Sequence, residues 1–184
     1  MSWSRIARRV RVPMGFVLAV FYLWIARPAP WSVLAGAAIA VLGLGIRALA
    51  SGAIRKNETL ATSGLYAYTR NPLYLGSIVI AGGFALAARS WVVAVVLLVM
   101  FLVIYLPVIR GEENFLRSRF PEFAEYERRV PRLVPRIGKA FSEQEATDGG
   151  FSSELYMKHR EYNALVGTVG MLAALVAKLG WMGR

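Results

Sequence analysis

The stretch Gly64-Leu65-Tyr66-Ala67-Tyr68-Thr69-Arg70-Asn71-Pro72-Leu73-Tyr74-Leu75-Gly76 decides how this chain is read. It is polar, aromatic and turn-rich, and it is wedged between long apolar runs. Polar groups facing lipid are costly, so a membrane protein keeps such a stretch in water or against a cavity. Pro72 suits the first turn of a helix, where its missing N–H would be unpaired anyway. Asn71 just before it is a candidate N-cap. A second polar knot, Arg110-Gly111-Glu112-Glu113-Asn114, follows the next pair of apolar runs. Two such knots at one membrane face predict an enzyme site at the membrane boundary.

Working outward, 57% of the 184 residues are hydrophobic, only 18% are charged, and the mean hydropathy is +0.47. That combination reads as an all-α integral membrane protein whose main body is one compact domain. The net charge of +11 does not point to nucleic acid, because the basic residues do not interleave with a nucleic-acid motif. They collect where apolar runs end, as cytosolic flanks and anionic headgroups require. The chain has no cysteine, which removes disulfides, thiolate nucleophiles, Cys-ligated zinc and iron–sulfur clusters. Its one histidine, His159, lies in a polar segment far along the chain from the knots. A His-rich metal site and a Ser-His-Asp triad are therefore out of reach. Carboxylates, Arg, Tyr, Asn, backbone or a cofactor must carry the chemistry.

Four core transmembrane helices are expected, over 14–25, 31–50, 73–88 and 91–109. The first follows Arg5, Arg8, Arg9 and Arg11 and has the look of a signal peptide, but Arg27-Pro28-Ala29-Pro30 is no small-residue cleavage site. It reads as a retained helix, short for a span. The second is rich in Ala and Gly, which favours close helix packing. Gly43-Leu44-Gly45 within it reads as a packing face before a cofactor loop, and Arg47 near its end is expected to snorkel to the interface. Pro107 is expected to kink the fourth run without abolishing it. Counting Lys and Arg puts the N-terminus and both knots on the cytosolic side, which also disfavours glycosylation at Asn57-Glu58-Thr59.

From 112 to 136 the pattern turns amphipathic. It predicts helix, a break near Pro121, and a further helix lying on the membrane surface. Residues 142–153, with Gly149-Gly150, read as a linker. The apolar tail over 164–181 reads as a fifth span, an interfacial helix or an oligomerisation arm. The organisation expected is therefore a membrane domain over 1–140, a polar linker over 141–160, and a C-terminal apolar helix over 161–184.

Taken together, Gly64-Leu65-Tyr66-x-x-x-Arg70-Asn71-Pro72-Leu73-Tyr74-Leu75-Gly76, a helical hairpin, Glu112-Glu113-x-x-Leu116, Phe120-x-x-Phe123-x-x-Tyr126 and Val130-Pro131-Arg132-x-x-Pro135 resemble the integral membrane methyltransferases. These include the isoprenylcysteine carboxyl methyltransferases and phospholipid N-methyltransferases. The resemblance covers roughly residues 44–136. It implies S-adenosylmethionine as cofactor, in a cytosolic pocket with Tyr66, Arg70, Asn71, Pro72, Tyr74 and Gly76 on one wall and Glu112 and Glu113 on another. Asn71 stands where that family commonly has His; it hydrogen-bonds but does not titrate near neutral pH.

The residue types suit that cofactor. Arg70 can pair with a carboxylate, a Glu can accept from an ammonium or ribose hydroxyl, and Tyr rings can face a sulfonium. Glu113 or Glu112 is the candidate proton acceptor if a phospholipid amine is methylated. A carboxylate acceptor needs no base, and Arg110 or Arg128 would then orient it. The expected acceptor is lipid-like and enters from the bilayer, with the amine slightly ahead of the carboxylate. Two other readings compete. One is a nicotinamide-dependent membrane reductase of the sterol-reductase type, tested by NADPH binding. The other is a scaffold that binds anionic lipid through Arg117, Arg119, Arg128 and Arg129.

Overall fold

Proline, glycine and charge mark the helix ends in the computed structural model, which describes residues 3–54, 59–138, 140–141 and 151–182, with backbone alone for 3–12 and 182. The side chains of Arg5, Arg8, Arg9 and Arg11, the sequon at Asn57, and the linker over 142–150 lie outside the described residues. The described residues are helical, with turns and no strand. The main elements are α1 (Trp3–Ile25), α2 (Pro30–Ala53), a 3-10 turn (Gly64–Ala67), α3 (Pro72–Ala88), α4 (Trp91–Met100), a π turn (Phe101–Tyr105) and α5 (Leu106–Arg119). They are followed by α6 (Phe123–Arg129), α7 (Ser153–Lys158) and α8 (Tyr162–Met182).

Among these, Pro30–Ala53, Trp91–Arg119 and Tyr162–Trp181 are long and apolar enough to cross a membrane, while Pro13–Ile25 and Pro72–Ala88 are shorter apolar helices. The bundle thus has five apolar helices, with the C-terminal one packed into it. Glycine backbones make the α2–α3 contact. A Cβ on Gly36 would sit 2.4 Å from the Gly83 carbonyl oxygen, and one on Gly43 would sit 2.7 Å from that of Gly76. Without lipid-excluding hydrophobic force between helices, such close approach supplies the van der Waals attraction that holds them. At the far end, the Tyr22 hydroxyl donates to Phe84 O at 2.9 Å and ties α1 to α3. There Tyr22, Ala26, Val33, Ala87, Val93 and Leu175 form one buried cluster.

Several sequence expectations shift. α2 runs on to Ala53, because Ser51, Gly52 and Ala53 are buried. α4, the π turn and α5 form one continuous rod from Trp91 to Arg119, so Glu112 and Glu113 lie inside a helix and not just past its end. The wide turn explains how Pro107 is carried. The Leu106 amide donates to Phe101 O, five residues back, which opens the turn that the proline ring would otherwise crowd. The break falls at 120–122 as the Pro121 signal implied, but α6 does not rest its apolar face on the membrane. Phe123 and Tyr126 are buried against Leu60 and Val130 within the protein.

The C-terminal arm is anchored by polar contacts to helix ends. Ser152 N–H donates to Gly52 O at 2.8 Å, and His159 Nδ1 lies 3.0 Å from Ser51 O, so the arm satisfies carbonyls that the end of α2 leaves open. At the other end of α8, Lys178 Nζ donates to Leu23 O at 2.5 Å and Trp24 O at 3.2 Å, the last carbonyls of α1. A cation there also suits the helix dipole.

Candidate functional site at the Arg70 knot

Gly64 opens the knot with a φ of 54°, a left-handed turn that glycine accepts at no steric cost. The 3-10 turn after it buries Tyr66, whose carbonyl accepts from the Tyr126 hydroxyl at 2.9 Å. A strap following α6 then runs beside the knot. Arg70 N–H donates to Pro131 O at 2.9 Å, and Arg136 N–H to Tyr68 O at 3.0 Å. The Thr69 hydroxyl reaches the carbonyls of Arg132 and Leu133. The strap therefore fixes the backbone of the knot from outside the helical hairpin.

Asn71 stands at the N-cap position of α3, but its side chain makes no cap bond. Its amide instead donates to Glu113 Oε1 at 3.0 Å and to Arg132 O at 3.1 Å. Glu113, only 3% exposed, also accepts from Arg132 Nε at 2.9 Å and lies 3.6 Å from Arg70 Nη2. The two knots are thus joined through a buried carboxylate. The hydrogen bond from Arg132 to Glu113 raises the Arg132 pKa above its ordinary value. Pro72 is buried at the first turn of α3, and Gly76 faces Gly43 and Arg47 of α2, where a Cβ would be 2.6 Å from Arg47 Cγ.

Beside this cage lies a cavity of ≈ 540 Å³, within the range of small-molecule sites. Arg70, Tyr66, Tyr74, Tyr105, Tyr126 and Glu112 are among the residues that line it. Leu60, Leu73, Phe115 and Leu116 supply apolar wall, and Arg47, Ser77 and Glu161 also line it. The π turn places Tyr105 on this wall, its ring edge-on to Tyr74 at 6.0 Å and stacked on Phe101 at 6.1 Å. Tyr74 donates its hydroxyl to Glu112 Oε1 at 3.0 Å.

The Arg70 side chain is 8% exposed, and its Nη1 lies 2.8 Å from Glu127 without the alignment of a hydrogen bond. Its Nε is buried with no hydrogen-bond partner. A buried donor left unmade costs about 1–3 kcal/mol, and Arg70 is among the residues that line the cavity. Arg117 and then Arg70 hold Glu127 below the usual carboxylate range. Arg47 does not snorkel. Its guanidinium donates to Glu161 Oε2 at 3.0 and 2.7 Å, to Ser77 Oγ at 2.5 Å and to Leu73 O at 3.2 Å.

Of the residues singled out from sequence, Tyr66, Arg70, Tyr74 and Glu112 border the cavity. Asn71 and Glu113 lie in the hydrogen-bonded cage beside it, and Pro72 and Gly76 serve helix start and helix packing. Arg110 and Arg128 are exposed and are not among the cavity residues. Sequence reading passed over Arg47, Tyr105 and Glu161. Arg47 carried a signal, since an ionisable residue within an apolar helix marks a site by default. Tyr105 and Glu161 carried none.

A family model described as phospholipid methyltransferase matches residues 15–122. A cobalt-zinc-cadmium resistance protein, CzcN, of Cupriavidus metallidurans is 47% identical over 83 residues, covering 45% of this chain and 38% of that protein. A nickel-cobalt-cadmium resistance protein, NccN, of Alcaligenes xylosoxydans xylosoxydans is 38% identical over 89 residues, covering 48% of this chain and 42% of its own length. The match therefore spans about two fifths of each relative. No solved structure matches the chain. Among the described residues, no three His, Asp or Glu side chains converge as a metal site.

Proposed function

Because the chain belongs to the phospholipid methyltransferase family, we propose that it transfers a methyl group from S-adenosylmethionine to a lipid-like acceptor at the membrane, a phospholipid amine ahead of a carboxylate. The observation that carries this reading is Arg70, whose buried Nε has no hydrogen-bond partner, lining a cavity together with tyrosines and a carboxylate. These groups fit the cofactor. Arg70 suits a carboxylate, the rings of Tyr74 and Tyr105 suit a sulfonium, and Glu112 suits an ammonium or hydroxyl. S-adenosylmethionine, when bound, would supply an electrophilic methyl on sulfonium: the acceptor lone pair forms a bond to that carbon as the C–S pair leaves with sulfur, giving S-adenosylhomocysteine.

The chain's own residues hold and align the reactants, which for an in-line displacement supplies much of the acceleration. An amine acceptor must also lose a proton, and Glu112, one of the two carboxylates lining the cavity, is our candidate for it, directly or through the Tyr74 hydroxyl. Glu113 is then a positioning residue, since its oxygens are taken by Asn71 and Arg132. By the distribution of Lys and Arg, the knots face the cytosol. Calorimetric titration of S-adenosylmethionine, S-adenosylhomocysteine and NADPH into the purified full chain tests the class. Saturable binding of both adenosyl ligands, weakened by Arg70→Ala and not restored by Arg70→Lys, is expected. Binding of NADPH alone would overturn the reading.

A further inference from the structure

The Arg47–Glu161 pair borders two spaces. On one side is the cavity; on the other is a groove of ≈ 340 Å³ between α2 and the α7–α8 arm. Apart from the pair itself, the groove is mostly apolar, with Val41, Leu44, Gly45 and Ala48 from α2 and Ala164 and Leu165 from α8. A Cβ on Gly45 would meet nothing within 4 Å, so the groove is open there. Glu161 comes from beyond the family-matched residues 15–122. It follows Arg160, whose φ of 54° is unfavourable for a residue with a Cβ and breaks α7 from α8. The side chains of Arg47 and Glu161 are only 21% and 12% exposed, in an otherwise apolar helix pair where an ion pair carries a desolvation cost that only good geometry and further hydrogen bonds offset.

We propose that this pair is a displaceable bolt. An amphiphile with an anionic group lays its apolar chain in the α2–α8 groove and puts its anion on Arg47 in place of Glu161. A phosphate and a carboxylate share the two-oxygen geometry that matches the guanidinium fork. Arg47 stays oriented during the exchange, because Ser77 and Leu73 O hold its Nη1. Glu161, at the polar start of α8, is released to the interface. The subsite deepens the methyl-transfer reading and rests on it only for the identity of the amphiphile as acceptor.

The test uses the full chain in a nonionic steroid-based detergent, titrated with dodecyl phosphate, dodecanoate, dodecanol and inorganic phosphate. The two anionic amphiphiles are expected to bind saturably, and dodecanol and inorganic phosphate at least about tenfold more weakly. Glu161→Gln removes the internal competitor and should tighten the amphiphile about tenfold. Arg47→Gln and Gly45→Leu should each weaken it by about tenfold or more, and Arg47→Lys, which keeps the charge but lacks the fork, should restore it only in part. If Arg47→Gln fails to fold, Gly45→Leu decides, because its side chain enters open space. Binding that treats dodecanol and dodecyl phosphate alike, or ignores Gly45→Leu, overturns the subsite. S-adenosylhomocysteine titrated into the same wild-type samples reads the other claim separately. Its failure to bind removes the methyl-transfer reading and leaves the subsite standing.

Discussion

Two arginines line the same cavity, and they hold their charge in different ways. Arg70 sits between Glu113 at 3.6 Å and Glu127 at 2.8 Å, yet its Nε has no hydrogen-bond partner. Arg47 is engaged through Nε, Nη1 and Nη2 by Glu161, Ser77 and Leu73. The first keeps a buried donor unmet; the second has all three guanidinium nitrogens engaged. The supports differ as well. Arg70 is fixed by backbone hydrogen bonds and a buried carboxylate, whereas Arg47 rests on a glycine seam and one side chain from the distant C-terminal arm.

The comparison breaks first at the neighbours Glu112 and Glu113, where the largest effects are expected. Glu113→Ala leaves Asn71 and Arg132 without their acceptor, and removing one partner from such a buried cluster costs roughly 3–5 kcal/mol. Because the Arg132 side chain is 38% exposed, the lower end applies, about 3 kcal/mol. Thermal denaturation of the purified variant should show it as a large fall in Tm. Glu112→Gln, one residue away and exposed, should change stability by no more than about 0.5 kcal/mol. On an amine acceptor it should lower kcat about 10²–10⁴-fold, as loss of a general base does. Equal destabilisation by both substitutions would show that the cage is not built around Glu113.

The seam that carries Arg47 gives the next effect. Gly76→Ala sets a Cβ 2.8 Å from Gly43 O, and Gly43→Ala sets one 2.7 Å from Gly76 O. Both contacts are with backbone, so α2 and α3 must part. Overpacking of this kind costs about 1–3 kcal/mol. Gly45→Ala, two residues from Gly43 with nothing within 4 Å, is the matched control and should melt with the wild type. Indifference to all three would remove the seam from the account of how Arg47 is placed.

The Arg70 end was readable because its residues are close in sequence and their types are constrained. Arg-Asn-Pro before an apolar run and paired Glu at the end of the next hairpin are unusual in a membrane chain, and they do meet through Asn71 and Glu113. What could not be read was which member of each pair turns to the cavity. That depends on helical phase, and the π turn at 101–105 resets the phase ahead of Glu112. The Arg47 end was hidden for another reason. Arg47 meets Glu161 across 114 positions of chain, and a single Glu in a polar segment carries no periodicity to mark its partner. The place of the tail was hidden in the same way: apolar length identified the run, but the contacts of Lys178 and Leu175 are what pack α8 against α1.

The smallest effect sharpens the Arg70 end through pH. Hydrogen bonds from Arg117, and then the Arg70 guanidinium close beside it, hold the Glu127 carboxyl below its ordinary value of 4.5. A depressed carboxyl adds stability that is fully present above the unfolded value and is lost as pH falls through the folded one. Acidification below 4.5 should therefore loosen the contact between α5 and α6 that Glu127 makes with Arg117. The Glu127 side chain is 30% exposed, so solvent screening keeps the contribution under about 1 kcal/mol. Melting curves recorded across that acid range should show a Tm decline that is shallower in Glu127→Gln than in the wild type. Parallel declines in the two proteins would mean that Arg70 is held by Glu113 and the backbone alone.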